Sequence, residues 1–89
     1  MKVSYEYEYS SRFVRSFKKL SVDVQAEAHE AINKFRDSDN HEGLRLHKLT
    51  GKLKIYHSFS INFQYRILIK IDKTTVYFTD IGNHDIYKN

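Results

Sequence analysis

Histidine, arginine and tyrosine are the residues that could carry chemistry in this 89-residue chain, which contains five histidines and no cysteine. Without cysteine there is no thiolate nucleophile, no disulfide and no thiolate metal ligand. Histidine gives or takes a proton near neutral pH, and arginine offers a planar fork to phosphate oxygens. These groups suit the cleavage of RNA by its own 2′-hydroxyl, which needs a base, an acid and fixed positive charge around one phosphate.

Four residues are the candidates for such a site: His47, Arg66, His84 and Tyr87. His84 follows Gly82 at the predicted end of a strand, where the glycine lets the backbone turn and the histidine can lie over the sheet. Each candidate also has an ordinary structural interpretation. The histidines could be surface side chains, the arginine a sheet cation paired with Asp80, and the tyrosine a packing residue. The histidines form no HxxxH pair, so we expect no metal and no cofactor.

Positive charge is concentrated in one part of the chain. Lysine and arginine number 15 against 11 acidic residues, a formal net charge of +4. Between residues 43 and 71 there is no acidic residue, and the cations there are Arg45, Lys48, Lys52, Lys54, Arg66 and Lys70. Such a segment is either a solubilising face or a phosphate-binding surface built on strands.

The first half of the chain predicts one strand and two helices that would support the site. Tyrosine and glutamate alternate within Val3–Tyr9, a period of two that is typical of a strand with one exposed face. Ser10 or Ser11 suits the cap of a first helix, and Ser21 suits the cap of a second. Apolar residues recur at helical spacing after each cap. The second helix is expected to end in the polar run 37–40.

The second half predicts three strands, at Leu53–Phe59, Asn62–Ile71 and Thr75–Asp80. The middle strand alternates strongly, and the residues predicted for its apolar face are Phe63, Tyr65, Ile67, Ile69 and Ile71. Residues 72–74 form a plausible tight turn into the last strand. Gly82 ends that strand, and residues 84–87 form a tail that can fold back over the sheet.

The element order β-α-α-β-β-β predicts a single α+β domain over residues 1–89. An antiparallel sheet would be covered on one face by a helical hairpin, since the apolar stripes of two helices need a sheet to cover. No apolar run approaches the roughly 20 residues of a membrane span. We therefore expect a cytoplasmic protein.

Several stretches resemble the RelE/ParE toxin superfamily. They are LHKLTGKLK at 46–54, YHSFSIN at 56–62, YRI at 65–67 and VYFTDIGNHDIY at 76–87. The superfamily shows a core of the form "hxLxGxLxGxwSfrI…yRI" and an ending "IGxHdxvY". Residues 9–13 and 17–20 are also similar to its first helix. The resemblance covers nearly the whole chain and implies the microbial-ribonuclease-like RelE fold.

The resemblance also implies roles for the candidate residues. The Gly-x-His ending places His84 where YafQ-like mRNA interferases carry a catalytic histidine, and His47 matches a second histidine position. Arg66 falls on the arginine of the "YR" motif, which stabilises phosphate, and Tyr87 lies near an aromatic used for stacking or proton transfer. The substrate-binding residues would be Arg45, Lys48, Lys52, Lys54, His57 and Lys70.

The implied function is that of a toxin of a type II toxin–antitoxin system, an endoribonuclease (mRNA interferase) that cleaves mRNA on the ribosome to arrest translation. Cleavage would proceed by 2′-hydroxyl attack without a metal. The alternative is a ParE-like inhibitor of DNA gyrase, which shares the fold and lacks nuclease activity. A third interpretation is a degenerate member that only binds nucleic acid or its partner protein. The implied partner is a cognate antitoxin protein.

Overall fold

Two helices and a five-stranded sheet make up the part of the chain that the computed structural model describes, residues 5–37 and 44–87. In chain order the elements are β1 Glu6–Tyr9, α1 Ser11–Lys18, α2 Val22–Arg36, β2 His47–Lys48, β3 Tyr56–Ser60, β4 Arg66–Asp72 and β5 Thr75–Gly82. Two 3₁₀ turns, at Gly51–Leu53 and His84–Tyr87, flank the last strands. The predicted α+β class, with a helical hairpin on one face of a sheet, is confirmed.

The sheet has the strand order β1-β5-β4-β3-β2. Strands β3 to β5 form the predicted antiparallel meander, with a turn after β4 in which Lys73 takes a φ of 56°. The short strand β2, which the sequence analysis did not predict, pairs with β3 in antiparallel at the edge of the sheet. Strand β1 differs, because it pairs with β5 in parallel and makes the sheet mixed. In chain order the two helices follow β1 and precede β2, so they connect β1 to the other strands of the same sheet. The start of the predicted first strand, up to residue 4, lies outside the described residues.

Serine side chains begin both helices, as the sequence predicts. Ser10 Oγ accepts a hydrogen bond from the Phe13 N–H at 3.0 Å, and Ser21 Oγ accepts one from the Val24 N–H at 3.3 Å. Each bond satisfies a donor that the first helical turn leaves unpaired. Among the described residues, neither helix is long and apolar enough to cross a membrane.

The core lies between the helices and one face of the sheet. Helix α2 buries Ala28, Ala31, Ile32 and Phe35, and α1 buries Phe13. They pack on the sheet residues Phe59, Ile67, Ile69, Val76, Phe78 and Ile81. The Phe35 and Phe59 rings stack at 4.8 Å between centroids. Burial contributes roughly 25 cal/mol to the free energy of unfolding for each Å² of apolar surface removed from water. This burial keeps the helical hairpin packed on the inner face of the sheet.

Two predicted strands begin later than expected, because local turns compete with the sheet. Strand β3 begins at Tyr56, since Gly51 takes a positive φ of 65° and starts the 3₁₀ turn. Strand β4 begins at Arg66, because Asn62 Oδ1 accepts from two backbone N–H groups and closes a turn. The expectation that Phe63 lies on the apolar face is therefore wrong: its side chain is 91% exposed.

Candidate active site

One cleft brings together the four residues that the sequence singles out for catalysis. It has a volume of about 310 Å³, and its lining is His47, Leu49, Thr50, Leu53, Arg66, His84 and Tyr87. The four candidate side chains come from β2, β4 and the last 3₁₀ turn, and the segment 49–53 completes the wall. The cleft therefore gathers two imidazoles, a guanidinium and a phenol from distant parts of the chain.

Strand register explains why the cleft lies on the face of the sheet away from the helices. His47 pairs with Ser58, while the next residue of β3, Phe59, pairs with the core residue Ile67. Because successive side chains on a strand point to opposite faces, His47 and Ser58 lie opposite the core. Arg66 pairs with Ser60, which is two residues from Ser58 and therefore on the same outer face.

A serine on β3 positions the guanidinium of Arg66. Arg66 Nη1 donates a hydrogen bond to Ser60 Oγ at 2.7 Å. This bond uses one of the five N–H groups of the guanidinium, which is half-buried. The remaining N–H groups can form the planar fork that binds two oxygens of one phosphate.

The last 3₁₀ turn folds back over the sheet, as predicted, and another serine of β3 holds it. Tyr87 donates its hydroxyl hydrogen to Ser58 Oγ at 3.0 Å, and Ser58 is fully buried. Asn83 Oδ1 accepts from the Asp85 N–H at 2.9 Å and supports the start of this turn. The rings of His84 and Tyr87 lie 6.0 Å apart between centroids, so the turn presents an imidazole and a phenol side by side.

A backbone carbonyl sets the tautomer of His47. His47 Nδ1 lies 3.0 Å from the carbonyl oxygen of Arg45. Because a carbonyl can only accept, Nδ1 is the donor in this contact, and in the neutral form of the ring the lone pair lies on Nε2. Arg45 has a φ of 53°, in the left-handed region that side chains other than glycine adopt at a cost. The strained backbone aims its carbonyl at the histidine.

The predicted substrate-binding residues do not form one surface. Lys48, Lys54, His57 and Lys70 line a separate depression of about 560 Å³ at the edge of the sheet. His57 pairs with the core residue Ile69, which puts its side chain on the helix side of β3 rather than the cleft side. Arg45 lines a third depression, which also includes Arg66. Lys52 is exposed in the 3₁₀ turn whose Leu53 lines the cleft.

A buried carboxylate, which the sequence analysis did not single out as functional, ties α1 to the end of β5. Asp80 accepts from Arg12 Nε at 3.1 Å, from the Ser16 hydroxyl at 3.0 Å and from the Ile81 N–H at 2.8 Å. The interpretation of Arg66 as its ion-pair partner is therefore wrong. Asp80 sits beside a register shift between β4 and β5, and such irregularities re-aim the strand that carries them. The pattern Asp-Ile-Gly at the end of a strand gives no sign of this from sequence alone.

Within residues 5–37 and 44–87, no group of three or more His, Asp or Glu side chains is arranged to hold a metal ion. The cleft contains two imidazoles, which are the side chains best suited to proton transfer near neutral pH.

Burial lowers the pKa of His57 from its ordinary value of 6.5, and the positive charges of Lys48 and His47 lower it further. His57 Nδ1 is buried and has no hydrogen-bond partner among the described residues. A charged imidazole is disfavoured there, because it would lose hydration and meet like charge.

This imidazole predicts a loss of stability in acid. Below pH 6.5 the unfolded chain binds a proton at His57 more readily than the native protein does. The free energy of unfolding therefore falls as the pH drops from 6.5 through the lowered native pKa. Thermal unfolding should show a lower Tm at pH 5.5 than at pH 7.5, and His57→Leu should reduce this difference. Lys48→Gln should reduce it less, because burial is the main cause; an unchanged pH dependence in His57→Leu would contradict the assignment.

A helical hairpin covers one face of the five-stranded mixed sheet, and this is the fold of the RelE-like toxins. A family model described as "RelE-like toxin of type II toxin-antitoxin system HigB" matches residues 1–84. This chain belongs to that HigB-like toxin family, and the superfamily resemblance predicted from its motifs is confirmed. A search of curated proteins found no match.

Solved structures show the same fold. The RelBE2 toxin–antitoxin complex from Mycobacterium tuberculosis contains a chain 27% identical to this one, with a TM-score of 0.66 over 92% of this chain and all of the other (100%). The RelB–RelE antitoxin–toxin complex from Methanococcus jannaschii matches at 19% identity and a TM-score of 0.73, over 91% and 95% of the two chains. YafQ from E. coli matches at 16% identity and a TM-score of 0.62, over 97% and 100%.

Proposed function

We propose that this toxin is an endoribonuclease that cleaves mRNA by attack of the RNA's own 2′-hydroxyl, with the ribosome presenting the substrate. The observation that carries the proposal is the cleft in which His47, Arg66, His84 and Tyr87 meet. Two proton-transfer groups, a phosphate-binding fork and an aromatic ring are the groups this reaction needs. Family membership supports the same reaction class.

His47 is the proposed general base and His84 the proposed general acid. His47 Nε2 has the free lone pair, because Nδ1 is bonded to the Arg45 carbonyl. It takes the proton of the 2′-hydroxyl as O2′ forms a bond to phosphorus. The bond between phosphorus and O5′ then breaks, and His84 gives O5′ a proton. The products are a 2′,3′-cyclic phosphate and a 5′-hydroxyl end.

Arg66 and Tyr87 hold the reacting nucleotide in this scheme. The Arg66 fork stabilises negative charge on the non-bridging oxygens, and its bond to Ser60 fixes the direction of the fork. Lys52, exposed beside the cleft, adds positive charge. Tyr87, held by Ser58, offers its ring for stacking on a base. No step of this scheme is assigned to a metal.

An antitoxin protein is the proposed partner, and mRNA on the ribosome is the proposed substrate in the cytoplasm. The solved complexes of RelB with RelE and of RelBE2 support an antitoxin partner, because their chains share this fold. An antitoxin that covers the cleft would block the reaction by excluding RNA.

Mapping mRNA ends in cells tests the proposal. Induction of the wild-type toxin should create discrete new 5′ ends in mRNA, detected by primer extension. The ends should be absent for Arg66→Ala and His84→Ala, because each change removes a group assigned to the reaction. Arg15→Ala, on the exposed surface of α1, is the matched control and should cut like the wild type.

Growth arrest with intact mRNA and a DNA-damage response would reject the nuclease and favour gyrase inhibition. Cuts that persist in both variants would reject the assigned residues. Purified toxin incubated with ribosomes and mRNA then shows whether cleavage is direct.

Gly82→Ala is expected to slow cleavage about 10- to 100-fold by moving the last turn, since displacement of positioned groups by about 1 Å can cost that much. A Cβ at residue 82 would lie 2.8 Å from Ile86 Cγ2. This methyl belongs to a short β-branched side chain, so the turn that carries His84 and Tyr87 must shift. Single-turnover cleavage of an RNA oligonucleotide measures the effect.

The double variant Gly82→Ala with Ile86→Ala provides the control for this prediction. It removes the methyl that the new Cβ would meet, so part of the lost rate should return. Wild-type cleavage by Gly82→Ala alone would show that the position of the last turn does not limit the reaction.

A further inference from the structure

The turn between β3 and β4 presents an aromatic ring to solvent beside the cleft. Phe63 is 91% exposed, the highest value among the large apolar side chains of the described residues. Single exposed apolar residues are common on protein surfaces, so exposure alone assigns no role. The surroundings of this ring decide its role.

The backbone that carries Phe63 is firmly held. Asn62 Oδ1 accepts from the Gln64 N–H at 2.9 Å and from the Tyr65 N–H at 2.8 Å. The Ile61 N–H donates to the Tyr65 carbonyl at 2.9 Å and closes the turn. The Asn62 amide nitrogen donates to Glu27 at 3.3 Å, which fixes which end of the amide faces the turn. A ring on a rigid turn loses little conformational entropy when a ligand stacks on it.

The ring borders a depression of about 210 Å³ with two arginines. Its lining is Arg45, Ser60, Ile61, Asn62, Phe63 and Arg66. None of these residues is acidic, and both arginines can bind phosphate oxygens. Arg66 lines this depression and the catalytic cleft, so the two spaces share one wall.

We propose that this depression is a flanking-base site, which binds the unpaired base of the nucleotide next to the scissile phosphate by stacking on Phe63. The inference rests on the proposed function, since Arg66 is the residue that would hold the scissile phosphate. Arg45 contacts the next phosphate along the strand. Aromatic stacking with adjacent cations is the usual way in which proteins bind single-stranded nucleic acid.

The charge favours RNA over a protein segment as the occupant. A docking groove for an amphipathic helix needs a long apolar surface. Here one aromatic ring stands next to two guanidinium groups in a space the size of a few side chains. A nucleotide offers both a flat ring and a phosphate, and it fits this combination.

The test measures binding of a single-stranded RNA to the intact toxin. The RNA contains the mapped cut site, a 2′-deoxy sugar at the attacking position to prevent cleavage, and the fluorescent base 2-aminopurine at a flanking position. Stacking on Phe63 should quench the fluorescence. Phe63→Ala should weaken binding about tenfold and abolish the quenching, because a base–aromatic stack is worth roughly this factor. Phe63→Tyr should retain both.

Val22→Ala is the matched control, because Val22 is 80% exposed on α2 and does not line the depression or the cleft. If Phe63→Ala binds this RNA as tightly as the wild type with the same quenching, the flanking-base site is rejected and the nuclease proposal stands. If the change weakens only binding of the antitoxin, the ring is a protein contact and the inference is rejected. If the wild-type toxin neither binds this RNA nor cuts mRNA, both proposals fail.

Discussion

Replacing Arg66 with alanine is expected to slow RNA cleavage by about 100- to 1,000-fold, the usual cost of removing one group that stabilises charge in the transition state. Arg66 lies in the wall of the cleft, and Ser60 fixes its direction through a 2.7 Å hydrogen bond. Single-turnover cleavage of an RNA oligonucleotide containing the mapped cut site measures the rate of the chemical step.

Arg66→Lys tests whether the rate depends on the positive charge of residue 66 alone or also on the planar shape of the guanidinium group. Lysine keeps the positive charge but has no planar fork, so it should recover only a small part of the rate. Arg66 is half-buried at the cleft rather than in the core, so both variants should keep a Tm close to that of the wild type. The control Arg15→Ala removes an exposed arginine from α1 and should leave the rate unchanged. Full activity in Arg66→Lys would show that net charge alone is sufficient.

Replacing either cleft histidine with glutamine is expected to slow cleavage about 100- to 10,000-fold, the range for loss of a general acid or base. The two variants should differ in their response to the leaving group, because only His84 is assigned to give a proton to O5′.

Single-turnover rates with ordinary RNA and with RNA that has a 5′-thio leaving group measure this difference. His29→Gln is the control, since His29 lies on α2 and does not line the cleft. An RNA with a 5′-thio leaving group needs less acid assistance, so it should restore activity to His84→Gln more than to His47→Gln. Equal recovery of both variants on the 5′-thio RNA would contradict the division of roles.

Much of this protein could be predicted from sequence because its signals are local. The caps at Ser10 and Ser21 depend on side chains that bond to backbone groups three residues away. The apolar stripe of α2 repeats with the period of the helix, so its buried face follows from spacing. Residue types suggested the kind of chemistry, since histidine and arginine limit the possibilities, and the family resemblance suggested which residues carry it.

The ends of the strands were less predictable, because two local interactions compete there. Alternation predicted a strand from residue 62, but the Asn62 side chain bonds to the backbone and makes a turn instead. Polar and apolar residues alternate over 62–65 whether this segment forms a strand or a turn, so the alternation alone cannot distinguish the two structures. As a result, Phe63 was predicted on the apolar face and is exposed beside the cleft.

The fold class, the family and the types of side chain available for chemistry could be predicted from sequence, because they depend on local periodicity and on short motifs. Which side chains line the same cleft depends on the tertiary structure. Pairing between β2, β3 and β4 put His47 and Arg66 on one face and His57 on the other. The carbonyl of Arg45 chose the tautomer of His47, through a contact that depends on a left-handed backbone. Strand register and backbone geometry place residues in space, and neither follows from residue types alone.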